Sequence, residues 1–348
     1  MTPSAPATTA PGAASLRRPA GVRLAWLLAG VVALLLATVA SLAFGTRPVT
    51  IEEVLAALAG DTSSIGTAAV ASRVPRTLLA LLVGAALALS GTALQAVTRN
   101  PLADPGILGL STGASLAVVT GIAFFGLSDP VATVVVAVLG SAAAGVFVYA
   151  IGSLGPGGAS PLKLALAGAA TTAALGSLVS AVLLPRVEVM TTFRFWQIGG
   201  VGGATWDRIL LVAPALALGA LVVLATARGM NSLALGDDVA AGLGERVART
   251  RLVAAAGAFV LCGAATAIAG PIGFVGLVVP HLCRLLVGTD HRWLLPATAI
   301  VGAGLLVAAD VVGRLVARPE EVEVGIITAL IGAPVFIALA RRRKVREL

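Results

Sequence analysis

The chain has 348 residues, of which 58% are hydrophobic and 11% charged, with a formal net charge of +8. Soluble domains are about 45–50% apolar and about 25% charged, so this composition excludes both a soluble globular enzyme and a disordered chain. About 200 hydrophobic residues, at about 20 per crossing, allow on the order of ten membrane-spanning helices.

Aromatic residues are scarce at 4%, whereas glycine reaches 41 and proline 18. Small residues let helices approach closely in lipid, and glycine and proline tolerate helix breaks where protein lines the site, so a bundle of partly irregular helices is expected. A transmembrane β-barrel requires alternating strands and aromatic girdles. The runs Leu78 to Ala88 and Val131 to Leu139 do not alternate.

Residues 1–23, rich in Ala, Thr, Pro and Ser and closing with Arg17, Arg18 and Arg23, read as a disordered cytoplasmic tail. The apolar run from about 24 to 44 exceeds the about 7–15 residues of a secretory leader and is expected to stay as the first helix, with cleavage as the alternative. In the polar stretch Pro48 to Ser72, Thr50 and Glu53 have capping-box spacing and predict a short surface helix. Further apolar stretches at about 77–97, 107–126, 130–152, 162–184, 206–226, 251–270, 273–287, 293–313 and 324–340 bring the expected number of helices to ten. The expected domain spans 24–341, with a long inner loop at 228–250 and a basic tail at 342–348.

An even number of crossings puts both termini on one side. Sixteen lysines and arginines fall on that side and eight on the other, so the termini are expected in the cytoplasm. The positive charge is therefore a topology signal and requires no nucleic acid partner.

Motifs for chemistry are weak. Gly109-Leu110-Ser111-Thr112-Gly113 matches a hydrolase elbow by letter, but it opens a membrane helix and its glycines also suit helix packing. The two lysines, Lys163 and Lys344, stand in no phosphate-binding loop. His281 and His291 read as helix-end residues, and Cys262 and Cys283 as small buried hydrophobes. No metal site, catalytic residue or cofactor is expected. The long runs carry almost no charge, with Asp310 near a helix end, so ion coupling has little to work with and an energy-supplying partner is expected. In the loop Arg228 to Arg251, the segment Leu235 to Arg246 reads as one or two short helices presenting Ala240, Ala241 and Gly242, either a docking knob or an ordinary solvated loop.

Several longer motifs occur in order: Arg73-Val74-Pro75-Arg76, Gly84 to Gly91, Gln95, Asn100-Pro101-Leu102-Ala103-Asp104-Pro105-Gly106, Phe195-Trp196 with Gly199, Asp237 to Gly244, Gly270 to His281 and Val324 to Phe336. Together they resemble the FecCD-type permease subunits of iron-siderophore, haem and cobalamin ABC importers, from about residue 50 to 340.

That resemblance implies an all-α, ten-helix subunit with type II ABC importer architecture in the inner membrane. It implies a second permease subunit, two cytoplasmic ATPase subunits and an extracytoplasmic substrate-binding protein as partners. Arg73, Arg76 and Arg314 would dock the binding protein, since arginine grips carboxylates bidentately. Asp237, Asp238, Ala240, Ala241, Gly242, Leu243, Gly244 and Glu245 would form the ATPase coupling element. Asn100, Pro101, Leu102, Ala159, Ser160 and Pro161 would form the cytoplasmic gate. Gly270, Pro271, Gly273, Gly276 and Pro280 would mark a broken helix beside the cavity, with Gly273, Gly276 and Pro280 exposing backbone to it. The cargo implied is a ferric siderophore or similar chelate, with cobalamin or haem as the alternative; an ion-coupled carrier is the reading from another class. The loop Arg318 to Glu323 departs from the family in being more acidic.

Overall fold

The computed structural model describes residues 19–106, 108–154 and 161–344. In chain order the helices are α1 (Ala20–Ala43), α2 (Ile51–Leu58), α3 (Ile65–Thr98), α4 (Leu110–Phe125), α5 (Pro130–Gly152), α6 (Pro161–Leu183), α7 (Val187–Ile198), α8 (Trp206–Ala225), α9 (Ala227–Leu233), α10 (Asp237–Gly242), α11 (Val247–Ala269), α12 (Val275–Val287), α13 (His291–Val316) and α14 (Val324–Lys344). No strand occurs among the described residues. Seven of these helices (α1, α3, α5, α6, α8, α11 and α13) are long and apolar enough to cross a membrane. Three shorter apolar helices, α4, α12 and most of α14, complete the ten expected positions.

The central element is α3. Its first turn is fixed by a capping box between Ser64 and Thr67, and it continues through Pro75 for 34 residues. Packing it against neighbours on several sides requires small side chains. A Cβ at Gly84 would overlap the Gly302 carbonyl of α13, and one at Gly91 would overlap Gly276 of α12. Ser90 donates to the Ala258 carbonyl of α11 at 2.8 Å, which satisfies a buried hydroxyl in the apolar interior. In contrast, α1 leaves most of its apolar side chains exposed along its length, as expected of a helix on the lipid side.

Several boundaries differ from expectation. Residues 20–23 belong to α1, so the N-terminal tail is shorter than predicted; residues 1–18 lie outside the described residues. Helix α3 begins at Ile65, not near 77, because the Ser64 cap starts a helix in polar sequence. Helix α14 extends to Lys344, into the stretch read as a basic tail. Helix α7 has no counterpart among the expected elements, since Glu188, Thr191, Thr192, Arg194 and Gln197 break its apolar pattern. The Thr50/Glu53 capping box forms as predicted at α2.

Candidate functional site: the two charged ends of the bundle

At the end where α1 finishes, two arginines meet one buried carboxylate and a third reaches backbone carbonyls. Arg76 donates from Nε and Nη2 to Asp310 Oδ1 at 2.9 and 2.8 Å, and from Nη1 to Glu321 Oε2 at 2.6 Å. Arg314 lies 2.9 Å from Asp310 Oδ2. It also donates to the carbonyls of Ser41 and Phe44, each at 3.1 Å. Arg73 donates to the carbonyls of Leu42, Ala43 and Arg47 at 2.9, 3.1 and 2.6 Å. The last carbonyls of a helix lack partners within it, so cations placed there are favoured by hydrogen bonding and by the helix dipole. Arg73 and Arg314 thus cap the C-terminal end of α1.

Arg73, Arg76 and Arg314 lie just beyond the apolar runs of the sequence, and the helices extend to include them. Arg73, Arg76, Asp310 and Arg314 are all within helices, and Asp310 and Arg314 are each 2% exposed. Isolated charges at such depth are costly, and the cluster is tolerated because each guanidinium finds a carboxylate or carbonyls. Nearby, Glu323 is packed against Gly200, and burial pushes its carboxyl above the usual range despite the opposing pull of Arg76.

At the opposite end, Asp237 begins α10 directly after Gly236, whose φ of 102° provides the turn into it. Its Oδ1 lies 3.1 Å from Arg99 Nη2 and 2.9 Å from Arg251 Nη2. One carboxylate oxygen thereby bridges the end of α3, the start of α10 and the N-terminal part of α11. Ala240 is fully buried, whereas Ala241, Gly242, Leu243 and Gly244 are exposed and Glu245 is half-buried. Glu245 accepts from the Thr250 hydroxyl at 2.5 Å. The segment expected to hold one or two short helices therefore contains one, α10, with α9 preceding it.

The Asn100 to Leu102 turn follows Arg99, which takes a left-handed φ of 50°, and Asn100 Oδ1 accepts from the Leu102 N–H at 3.0 Å. Of the other expected gate residues, Pro161 starts α6, whereas Ala159 and Ser160 lie outside the described residues. A third linkage joins α1, α9 and α13. Asp290 caps α13 through the Arg292 N–H at 3.0 Å, accepts from Asn231 at 2.7 Å and pairs with Arg23 at 3.4 Å. His291 opens α13 with its ring Nδ1 2.8 Å from Asn231 Oδ1, which agrees with the helix-end role read from the sequence.

The short helix α12 has 13 residues, too few to span a bilayer. Gly276 and Pro280 are buried, and the Gly276 carbonyl accepts from Gln95 Nε2 at 2.9 Å, so this stretch of backbone packs against α3. Gly273 has open space where a Cβ would stand, and Gly270 and Pro271 lie in the non-helical link between α11 and α12. Ser111 and Cys262 form a buried polar contact at 3.7 Å, and Gly113 lies against Gly140 of α5, which supports packing as the meaning of that motif. The partners of Asp237, Asp290 and Asp310 are not legible in sequence, because each bridges elements far apart in the chain.

A bundle of helices long and apolar enough to cross a membrane, with ionic clusters at its two ends, defines a multi-pass membrane protein. The chain belongs to the FecCD transport family, whose model matches residues 33–342. It is 45% identical over 312 residues to the ferric enterobactin transport system permease protein FepD of Escherichia coli K12, covering 89% of this chain and 93% of that one. It is 43% identical over 281 residues to the cobalamin import system permease protein BtuC of Halobacterium salinarum, covering 79% and 74% of the two chains. Among solved structures, one described as an inward-facing metal-chelate type ABC transporter superposes with a TM-score of 0.77 at 31% identity, covering 92% of this chain and 99% of that chain.

Proposed function

We propose that this chain is the permease subunit of an ATP-binding-cassette importer that carries a ferric siderophore or a similar metal chelate across the bacterial inner membrane. The observation that carries this reading is the 45% identity to a ferric enterobactin permease across 93% of its length. A second permease subunit would complete the pathway, an extracytoplasmic binding protein would deliver the cargo, and two ATPase subunits would supply the energy, with both termini of this chain in the cytoplasm. The identity to a cobalamin permease keeps cobalamin or haem as the second reading.

Each charged end has a part in this scheme. Arg76 would meet an acidic group of the binding protein in place of Glu321, which is its partner here. Arg73 and Arg314 enter as the residues that hold the end of α1 against α3 and α13. At the other end, Asp237 to Glu245 would sit against the ATPase, and the Arg99–Asp237 pair would carry movement of α10 to the Asn100–Leu102 turn, where the gate with Ala159 to Pro161 would open.

Deleting the gene and measuring uptake of radiolabelled ferric siderophore, haem and cobalamin tests the assignment. Loss of siderophore uptake with the other two retained is expected; loss of only haem or only cobalamin uptake moves the cargo to that branch.

A further inference from the structure

A cavity of about 370 Å³ opens between the C-terminal end of α8, the start of α9 and the start of α13. Leu224, Ala225 and Pro296 form apolar wall, and Arg228, His291 and Arg292 contribute polar groups. Arg228 and Arg292 are exposed, and neither guanidinium is in an ion pair among the described residues. The nearby carboxylate, Asp290, pairs with Arg23, accepts from Asn231 and feels the charge of Arg292, so this single negative charge beside Arg23, Arg228 and Arg292 leaves the region with an excess of positive charge. Above it, α8 exposes Leu210, Leu218, Leu221 and Leu224. Their spacing of eight, three and three residues places them on one helical face that ends at the cavity.

From this geometry we infer that the cavity holds the headgroup of an anionic phospholipid, with its phosphate between Arg228 and Arg292 and its acyl chains along the leucine face of α8. Guanidinium groups bind phosphate oxygens in bidentate fashion. Basic pockets between helix ends at the cytoplasmic surface suit anionic lipids. The continuous apolar face favours a lipid over a free anion, which would have no use for it, and over a protein surface. The inference rests on the cytoplasmic placement of the termini in the proposed function but requires no ATPase.

The test uses the purified full-length chain, delipidated in detergent and titrated with phosphatidylglycerol or phosphatidylcholine, with bound lipid read by native mass spectrometry. Wild type should prefer phosphatidylglycerol. Arg228→Gln and Arg292→Gln should each weaken that preference about fivefold, corresponding to about 1 kcal/mol per arginine near a lipid surface. Arg228→Lys with Arg292→Lys should retain most of it. Arg47→Gln with Arg208→Gln, which removes equal charge at the other end of the bundle, should leave it unchanged. Equal preference in wild type and the double glutamine variant overturns the proposal. So does displacement of the lipid by millimolar inorganic phosphate, which assigns a free-anion site, or by added ATPase subunits, which assigns a protein interface. Lipid preference without ATP-driven uptake would sink the importer reading and leave this site standing; the reverse result would do the opposite.

Discussion

Asp237 Oδ1 lies 3.1 Å from Arg99 Nη2, so the first residue of α10 is tied to the residue that ends α3, 138 positions earlier in the chain. The same oxygen holds Arg251 at 2.9 Å. Because Arg99 and Asp237 are about two-fifths exposed, the pair itself contributes little stability, about 0–1 kcal/mol. In the proposed scheme its importance is geometric, since Arg99 immediately precedes the Asn100–Leu102 turn.

In the proposed importer, Asp237→Asn should therefore leave the ATPase subunits bound and the melting temperature nearly unchanged, yet reduce the stimulation of ATP hydrolysis by loaded binding protein. Asp237→Glu should restore part of it. Hydrolysis rates with and without loaded binding protein provide the check, and full stimulation in Asp237→Asn would show that the joint transmits nothing.

Asp310 faces both Arg76 and Arg314 and is 2% exposed. Removing one member of a buried ionic set strands the others, at about 3–5 kcal/mol. Asp310→Ala should lower thermal stability in detergent by that order, whereas Glu321→Gln, at a more exposed position, should cost under about 1 kcal/mol. Equal effects of the two would contradict the buried-cluster description.

Much of the fold is legible in the sequence because an apolar run long enough to span a bilayer can rarely form anything but a membrane helix. The ten apolar helices overlap the stretches that hydropathy marks, though several extend beyond them, and the Thr50/Glu53 cap forms as read. Residues 65–76 do not read as helix because Ser72, Arg73, Pro75 and Arg76 break the hydrophobic run. The roles of Arg73 and Arg314 are equally hidden, since hydrogen bonds to the carbonyls at the end of α1 span 30 to 273 positions and leave no local pattern.

The contact of α3 with α12 and α13 predicts steric sensitivity at two glycines. A methyl group at Gly84 or Gly91 would meet backbone of the neighbouring helix, which cannot swing aside as a side chain can. Gly84→Ala and Gly91→Ala should each destabilise by about 1–3 kcal/mol. Gly242→Ala, with nothing within 4 Å of its Cβ position, should leave stability unchanged. Thermal unfolding of the three variants in one detergent decides the matter.

The Asp290 linkage predicts a stability loss in acid. Burial raises its carboxyl pKa, but hydrogen bonds from Asn231 and the Arg292 N–H and the charges of Arg23 and Arg292 outweigh this and hold it below the ordinary 3.8. A carboxylate with a lowered folded-state pKa contributes stability that is fully present above its unfolded pKa and lost as pH falls through the folded one. Stability measured from pH 6 downward should fall through the region below the ordinary 3.8, and Asp290→Asn should flatten that limb. An unchanged acid limb in the variant would contradict the assignment.

In the proposed scheme, energy enters through separate ATPase subunits. Vesicles containing this chain with its partner permease, the ATPase subunits enclosed with ATP and loaded binding protein outside, should accumulate radiolabelled iron chelate only while ATP is hydrolysed. Accumulation by the permease chains alone under a proton or sodium gradient, without ATPase subunits, would contradict it.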